Sequence, residues 1–348
     1  MRQISHFRLP GVPIMRRKVE QALMLNRVQR VPPYRDLWRE FRSDLLFFDP
    51  RGVDWERERI RGLLLRKGRW LEGYFAFPET VYNRSFPEQK GILGKLAESI
   101  GENRIFNDRT HFDKWEVYQH LAGNDGIKEY LPGTYQYTEE DLAELLAQHP
   151  SLIFKPRLGH GGAGVIRITS LTPDTVIIKS GWGFAVPLFG EQAYLPLLLA
   201  LAPPEQFIAQ QYIAGRQQDG STFDVRILMQ KNSAGKWEAG GQLSRVSLAA
   251  NLLTNHYYAI VPPGELISDE LLAALQSISY VVAKTLDGPF ATLGELGVDF
   301  LIDESGRPWI LEVNGKPDKG LFWQLRDPEM LGRIYLNPLR YQEHLLDG

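Results

Sequence analysis

The chain has 348 residues, 43% of them hydrophobic and 24% charged, with 40 Lys and Arg against 42 Asp and Glu for a formal net charge of -2. That length suits two or three domains, each with its own core, and the near-balanced charge supplies no overall pull toward nucleic acid or an anionic membrane. The absence of Cys excludes disulfides, zinc–thiolate centres and thiol nucleophiles.

Met1 to Ser5 leads into no apolar signal-peptide core. The first hundred residues are rich in Arg, Trp and Phe, with breaks at Pro32-Pro33, Asp49-Pro50 and Gly52. Leu45 to Phe48 and Gly73 to Phe77 read as short strands of a small α/β domain over 1–107. A helix follows from Lys114 to Leu121, with Asp113 as its cap, and another from Thr138 to Gln148, with Thr138 as N-cap and Asp141 three residues on. Together with the block that follows they form a second unit, 108–185. In that block Leu152 to Phe154 is a strand, Gly159 to Gly164 a glycine loop, Val165 to Ile168 and Val176 to Ile178 further strands, and the block closes near Trp182. The longest apolar run, Tyr194 to Leu201, falls far short of the ~20 residues of a membrane span. It ends at Pro203-Pro204 and reads as a buried helix. In the last unit, 186–348, Phe207 to Tyr212 is a strand, Phe223 to Gln230 and Lys236 to Val246 an antiparallel pair, Leu271 to Leu286 a helix, and Val298 to Ile302 with Trp309 to Val313 a final hairpin. The fold class is α+β, with an α/β N-terminal domain.

The final hairpin carries the sharpest chemistry. Ser305-Gly306 is its turn signal. Centring the turn on that bond sets Asp299 opposite Glu312, with Asn314 on the same face. Two opposed carboxylates lie about 5 Å apart and repel unless a cation joins them. Mg²⁺ takes one or two carboxylates together with phosphate oxygens. The alternative is the exposed polar face of an ordinary hairpin.

Lys155 precedes a loop whose glycines, Gly161 and Gly162 among them, leave backbone N–H groups open to phosphate oxygens. A strand, not a helix, follows, so neither the dinucleotide fingerprint nor Walker A is satisfied. What remains is a flap over phosphates, or a plain glycine-rich turn. His160 sits within the flap. Asp224 and Arg226 alternate along one strand, with Arg245 on its partner: either a phosphoryl or carboxylate clamp, or a structural Asp–Arg pair. Asn251 and Asn255 follow in a segment suited to the same cleft.

Taken in order, Asp113-Lys114, Phe154-Lys155-Pro156 with its glycine loop, Gln210 to Ile213, Asp224-Val225-Arg226, Gly297-Val298-Asp299 and Leu311 to Asn314 resemble the ATP-grasp superfamily over about 200 residues. Within it the chain is similar to the YheC/YheD-type endospore coat-associated proteins, a likeness that extends to Phe47-Phe48, Val53 to Trp55, Pro78 and Val81 to Arg84. The resemblance implies an ATP-grasp fold with the nucleotide between two α+β subdomains, and ATP and Mg²⁺ as cofactors. It implies that Lys114 and Lys155 contact ATP phosphates; on the flap reading Gly161, Gly162 and His160 would meet the same phosphates, while on the plain-turn reading His160 is incidental. Gln210, Gln211, Tyr212 and Ile213 would lie beside adenine, with Asp224 also at the cofactor. Arg226 and Arg245, together with Lys155, would serve the transferred phosphate or acyl group, and Asp299, Glu312 and Asn314 would hold the metal. The implied activity is a carboxylate–amine ligase acting through an acyl phosphate on an amino acid, peptide or protein. The alternative is a non-catalytic ATP-binding protein of spore-coat assembly. Partners would be carboxylate and amine substrates, or spore-coat proteins, and neither nucleic acid nor membrane. The location would be cytoplasmic or at the spore coat. Gln211 stands where relatives often carry Glu, and His256-Tyr257-Tyr258 where many carry a glycine pair.

Overall fold

Gln21–Leu25 is a five-residue strand with its first four residues buried, the mark of a strand covered on both faces. In the computed structural model, which describes residues 14–15, 19–41, 43–87, 89–172, 174–181, 185–248, 256–290 and 292–347, it lies within a seven-stranded sheet. The order is Ile14–Met15, Arg69–Ala76, Arg59–Arg66, Leu45–Asp54, Gln21–Leu25, Thr80–Arg84, Ile105–Phe106. Gln21–Leu25 runs parallel to both its neighbours, and Thr80–Arg84 parallel to Ile105–Phe106. The Lys90–Ile100 helix covers one face with Leu93 and Leu96. Trp182, Asn251 and Asn255 lie outside the described residues.

A second, antiparallel sheet contains the Ser151–Pro156, Ile166–Thr172, Thr175–Ser180 and Ala185–Phe189 strands. Phe207–Gln211, read from sequence with the last unit, joins this sheet instead. It pairs with Ser151–Pro156 on one side and Thr134–Tyr135 on the other, so Ile208 opposes Lys155. Its sequence gives an apolar run but no partner, and the partner decides the sheet. The Glu191–Leu201 helix buries only Tyr194 and Leu198, while Leu197 and Leu201 are exposed, so it is a surface helix and not the fully buried one its composition suggests. The Asp141–Gln148 helix starts three residues later than expected. Thr138 does not cap it, but donates its backbone N–H and hydroxyl to Asp141 Oδ2, at 2.8 and 2.9 Å.

The third sheet, all antiparallel, runs Ala259–Val261, Trp237–Leu248, Ser221–Lys231, Glu295–Ile302, Pro308–Asn314. Phe223, Val225, Ile227 and Met229 alternate onto one face, under the Asp269–Leu286 helix that Ser268 caps. Leu228 and Leu243 turn to the other, where the Pro328–Asp347 helix lies. That last helix also covers the open face of the first sheet, packing Ile334, Leu339 and Tyr341 with Leu23, Phe47 and Phe106. Asn107, at φ 52°, stitches the two sheets: its amide donates to Glu295 O and Gly315 O and accepts from the Gly294 and Glu295 N–H groups.

Candidate functional site

Between the second and third sheets runs a cleft enclosing about 1970 Å³ of space, open to solvent. Apart from Asn251 and Asn255, which lie outside the described residues, the site residues singled out from sequence line it: Lys114, Lys155, His160, Gly161, Gly162, Gln210 to Ile213, Asp224, Arg226, Arg245, Asp299, Glu312 and Asn314.

Lys114 opens the Lys114–Ala122 helix, whose N-cap is Asp113, accepting from Trp115 N at 2.8 Å and Glu116 N at 3.4 Å. Arg157 grips the same carboxylate at 2.7 Å, fixing the helix start to the end of the glycine loop. Lys114 Nζ then reaches both Gly159 O, at 2.9 Å, and Glu312 Oε1, at 3.2 Å. Gly161, Gly162 and Gly164 adopt φ of 62°, 70° and 74°, the left-handed turn that glycine tolerates. His160 stacks edge-on against Phe86, two residues past the Thr80–Arg84 strand, 4.9 Å between centroids, and so pins the loop across the cleft.

Lys155 points inward from its strand, donating to Gln210 Oε1 at 2.6 Å and Leu311 O at 3.4 Å. Burial drives its amine down to about 8. Glu312 and Asp299 work against that shift, and Lys114 adds to it. Gln210 is itself held, its Nε2 donating to Thr134 Oγ1 at 3.0 Å. Gln211 turns its side-chain oxygen to Gly133 N at 3.3 Å, and the Tyr212 ring lies 3.6 Å from the Arg167 guanidinium carbon.

The hairpin register is the expected one at the site and different beyond it. Gly297 pairs with Asn314, Val298 with Val313 and Asp299 with Glu312. Beyond a bulge the pairs are Phe300–Ile310 and Ile302–Pro308. The Asp303 carboxylate closes the turn by accepting from Ser305 N, Ser305 Oγ and Arg307 N. The turn's centre is thus offset from the Ser305–Gly306 bond, and Leu311, the extra residue, restores the register where Glu312 begins.

Both Asp299 and Glu312 have cationic side chains as partners. Asp299 is buried and forked by Arg226, with Nε at 2.6 Å and a terminal nitrogen at 2.7 Å, and it accepts from Arg245 at 3.0 Å and Asn314 Nδ2 at 3.3 Å. Burial works to raise its pKa, but the charges of Arg226 and Arg245 hold it at about 2. Glu312, 31% exposed, has Lys114. Asp224, expected at the cofactor, is fully buried with both oxygens on Arg245, at 2.8 and 2.6 Å. Its carboxylate aims the arginine from the cleft wall. Among the described residues no group of three or more His, Asp or Glu forms a ready-made metal cage.

Sequence reasoning missed the third wall. Lys316, Pro317, Asp318 and Leu321 line the cleft just past Asn314. The two-residue step from Asn314 to Lys316 was the available signal. The anchor beneath them is Glu295, fully buried, which binds Arg84, the Tyr82 hydroxyl at 2.6 Å, Gln230 at 2.6 Å and Lys319 at 2.6 Å.

A family model described as YheC/D like ATP-grasp matches residues 102–345. The endospore coat-associated protein YheC of Bacillus subtilis (strain 168) is 26% identical over 329 residues, covering 88% of this chain and 89% of that protein. Among solved structures, D-alanyl-alanine synthetase A from Vibrio cholerae O1 superposes with a TM-score of 0.53 at 13% identity, covering 95% of this chain and 97% of the other. A biotin carboxylase–βγ-ATP complex from Campylobacter jejuni gives 0.56 at 10% identity, covering 92% and 71%. At these identities the structural likeness establishes the fold, which is ATP-grasp.

Proposed function

The chain belongs to the YheC/D-like ATP-grasp family, and from that premise we propose that it is an ATP- and Mg²⁺-dependent ligase joining a carboxylate to an amine through an acyl phosphate. The substrate would be an amino acid, peptide or protein. One observation carries the reading: Lys114, Lys155, Arg226 and Arg245 converge on a single cleft with Glu312 and Asn314. Four cations around two oxygen donors suit a polyphosphate and its metal better than a neutral ligand.

The donor set fits Mg²⁺. Glu312 faces the cleft with Lys114 as its ion-pair partner among the described residues, and Asn314 spends its amide N–H on Asp299, which leaves its side-chain oxygen for a cation. Asp299 lies beneath them and would join by releasing one arginine bond. When bound, the metal would neutralise phosphate charge. Lys155, with Gln210 locking its direction, would hold the phosphates, and the His160-pinned glycine loop would cover them. In the reaction a substrate carboxylate oxygen takes the γ-phosphoryl group and ADP leaves. The amine nitrogen then attacks the carbonyl carbon, and phosphate departs. Arg226 and Arg245 face the charge that develops on the transferred group. Both are buried and aimed by carboxylates, so they need no reorganisation at that moment.

ADP and phosphate release, assayed with Mg·ATP over a panel of carboxylate–amine pairs, tests the reading. Glu312→Gln and Lys155→Ala should each lower turnover by at least about 100-fold, with unchanged circular dichroism. Wild-type rates in both variants would end it. The arginine fork that saturates Asp299 favours a second reading, binding without turnover, suited to a role in spore-coat assembly in keeping with the coat association named for YheC. Saturable Mg·ATP binding with no ADP from any pair would select it.

A further inference from the structure

The cleft holds more positive charge than phosphate handling uses. Lys316 lines it, and no carboxylate of the described residues lies within ion-pair distance of its amine. Its Nζ donates to Asn26 Oδ1 at 3.1 Å and stands 5.9 Å from the Phe86 ring centre. Asn26 and Phe86 also bond to each other, Phe86 N donating to Asn26 Oδ1 at 3.1 Å.

These two residues leave the carboxyl ends of Gln21–Leu25 and Thr80–Arg84, parallel neighbours with Leu25 opposite Arg84. Loops after parallel strands collect along one sheet edge, where α/β sheets place ligands. The loop that begins at Asn26 carries Arg27 and Arg30. Both are exposed, and neither makes an ion pair or hydrogen bond with any described residue. Between them Val28 N donates to Asp49 Oδ2 at 2.9 Å, which fixes the loop's path.

A free surface arginine is ordinary; its setting here is not. The first 70 residues hold 17 Lys and Arg against 8 Asp and Glu, within a chain whose totals are 40 and 42. Further along this region four arginines are paired, Arg51 with Asp49, Arg59 with Asp54, Arg61 with Glu72 and Arg66 with Asp44, while Arg39 and Arg69 are exposed without an ion pair to any described residue. What sets Arg27 and Arg30 apart is their loop, whose first residue, Asn26, holds the cleft's Lys316. Lys316 inside the cleft, with Asp318 two residues on as the acidic charge acting on it, and two unpaired arginines on the loop that begins at Asn26 make a basic track.

We propose that this edge is the docking track for an acidic peptide segment, whose Asp or Glu carboxylates are held by Arg27, Arg30 and Lys316 while one side-chain carboxylate enters the cleft to be activated. The inference rests on the ligase reading and names its substrate class. A chain of carboxylates suits such a track because each arginine offers a planar fork to one of them. An extended peptide advances about 3.3 Å per residue, so eight residues span about 26 Å. A single-stranded nucleic acid would offer charge too, but Trp, Tyr or Phe stacking platforms do not accompany Arg27 and Arg30 on this loop.

The test is fluorescence anisotropy of labelled octaglutamate, octaglutamine and an eight-nucleotide oligo-dT on the full chain, with and without a non-hydrolysable ATP analogue and Mg²⁺. Octaglutamate should bind and octaglutamine should not. The Arg27→Gln/Arg30→Gln double variant and Lys316→Gln should each weaken octaglutamate by at least about fivefold, with Arg61→Gln within about twofold of wild type and affinity for the ATP analogue unchanged in the double variant. Equal binding of octaglutamine, wild-type affinity in both charge variants, or tighter binding of oligo-dT would each overturn the proposal. Peptide binding of the expected pattern in a protein that ignores Mg·ATP would refute the ligase reading alone. Turnover on other carboxylates without octaglutamate binding would refute the track alone.

Discussion

Asp224, Arg245, Asp299 and Arg226 form a row in which each charge touches one of the opposite sign, across three adjacent strands. Buried ion pairs of this kind contribute little net stability, yet removing one member strands its partner. Asp224→Ala should therefore cost about 3–5 kcal/mol in chemical denaturation, and the loss should be partly restored in Asp224→Ala/Arg245→Met, where no charge is left over. Lys155 makes a different prediction. Its buried amine is charged below about 8 and neutral above, so a phosphate that needs the charge must recruit a proton at higher pH. ATP affinity should fall as pH rises through 8, by up to about tenfold per pH unit, and Lys155→Met should flatten the profile in calorimetric titrations from pH 6 to 9.5. The residues themselves were legible, because Lys, Arg, Asp and Glu embedded in apolar strands stand out within a window of a few positions. Their pairing was not: Arg226 meets Asp299 across 73 residues, and no local pattern announces it.

At the scale of elements, the glycine loop and the metal hairpin show what a turn controls. Gly164, at φ 74°, has Pro156 Cγ only 2.9 Å from where a Cβ would sit, whereas at Gly161 nothing lies within 4 Å. Gly164→Ala should thus weaken ATP binding several-fold more than Gly161→Ala, by isothermal titration, with melting temperatures within about 3 °C of each other because the loop lies outside the cores. In the hairpin, turn chemistry located the tip, while the bulge at Leu311 was invisible to a count that assumed uninterrupted pairing. The facing of Asp299 and Glu312 came out as expected because only a bulge could reconcile this turn with two hydrophobic faces. The helix cap at Asp113 was readable from its own four residues. The sheet that Phe207–Gln211 joins was not, since strand partnership is a long-range choice.

For the whole molecule, the anchor is Glu295. Burial alone would raise its pKa, but Lys319 and Arg84 hold it below the ordinary 4.5. The folded state thus favours the ionised form, and this contribution is complete above 4.5. It fades as pH drops through the lowered folded value. Glu295→Gln leaves Arg84 and Lys319 buried without a counter-charge and should cost about 3–5 kcal/mol at pH 7. Its melting temperature should also decline less steeply with acid than that of wild type, a comparison differential scanning calorimetry makes directly. The α/β character of the opening region and the α+β character of the rest were readable from periodicity. The polar seam joining them was not, because Tyr82, Arg84, Glu295 and Lys319 are each unremarkable in their own stretch of sequence.

The Pro328–Asp347 helix has a consequence for how the protein is made. It roofs a sheet built from the opening hundred residues, and Gln21 and Gln342 exchange side-chain bonds with its carbonyl at Leu339 and with Ala22 across some 320 positions. On a ribosome, that sheet must wait, one greasy side bare, until the helix over 328–347 has emerged. The opening unit cannot mature ahead of the others, and a nascent chain stalled before the closing helix should be conspicuously vulnerable to proteases.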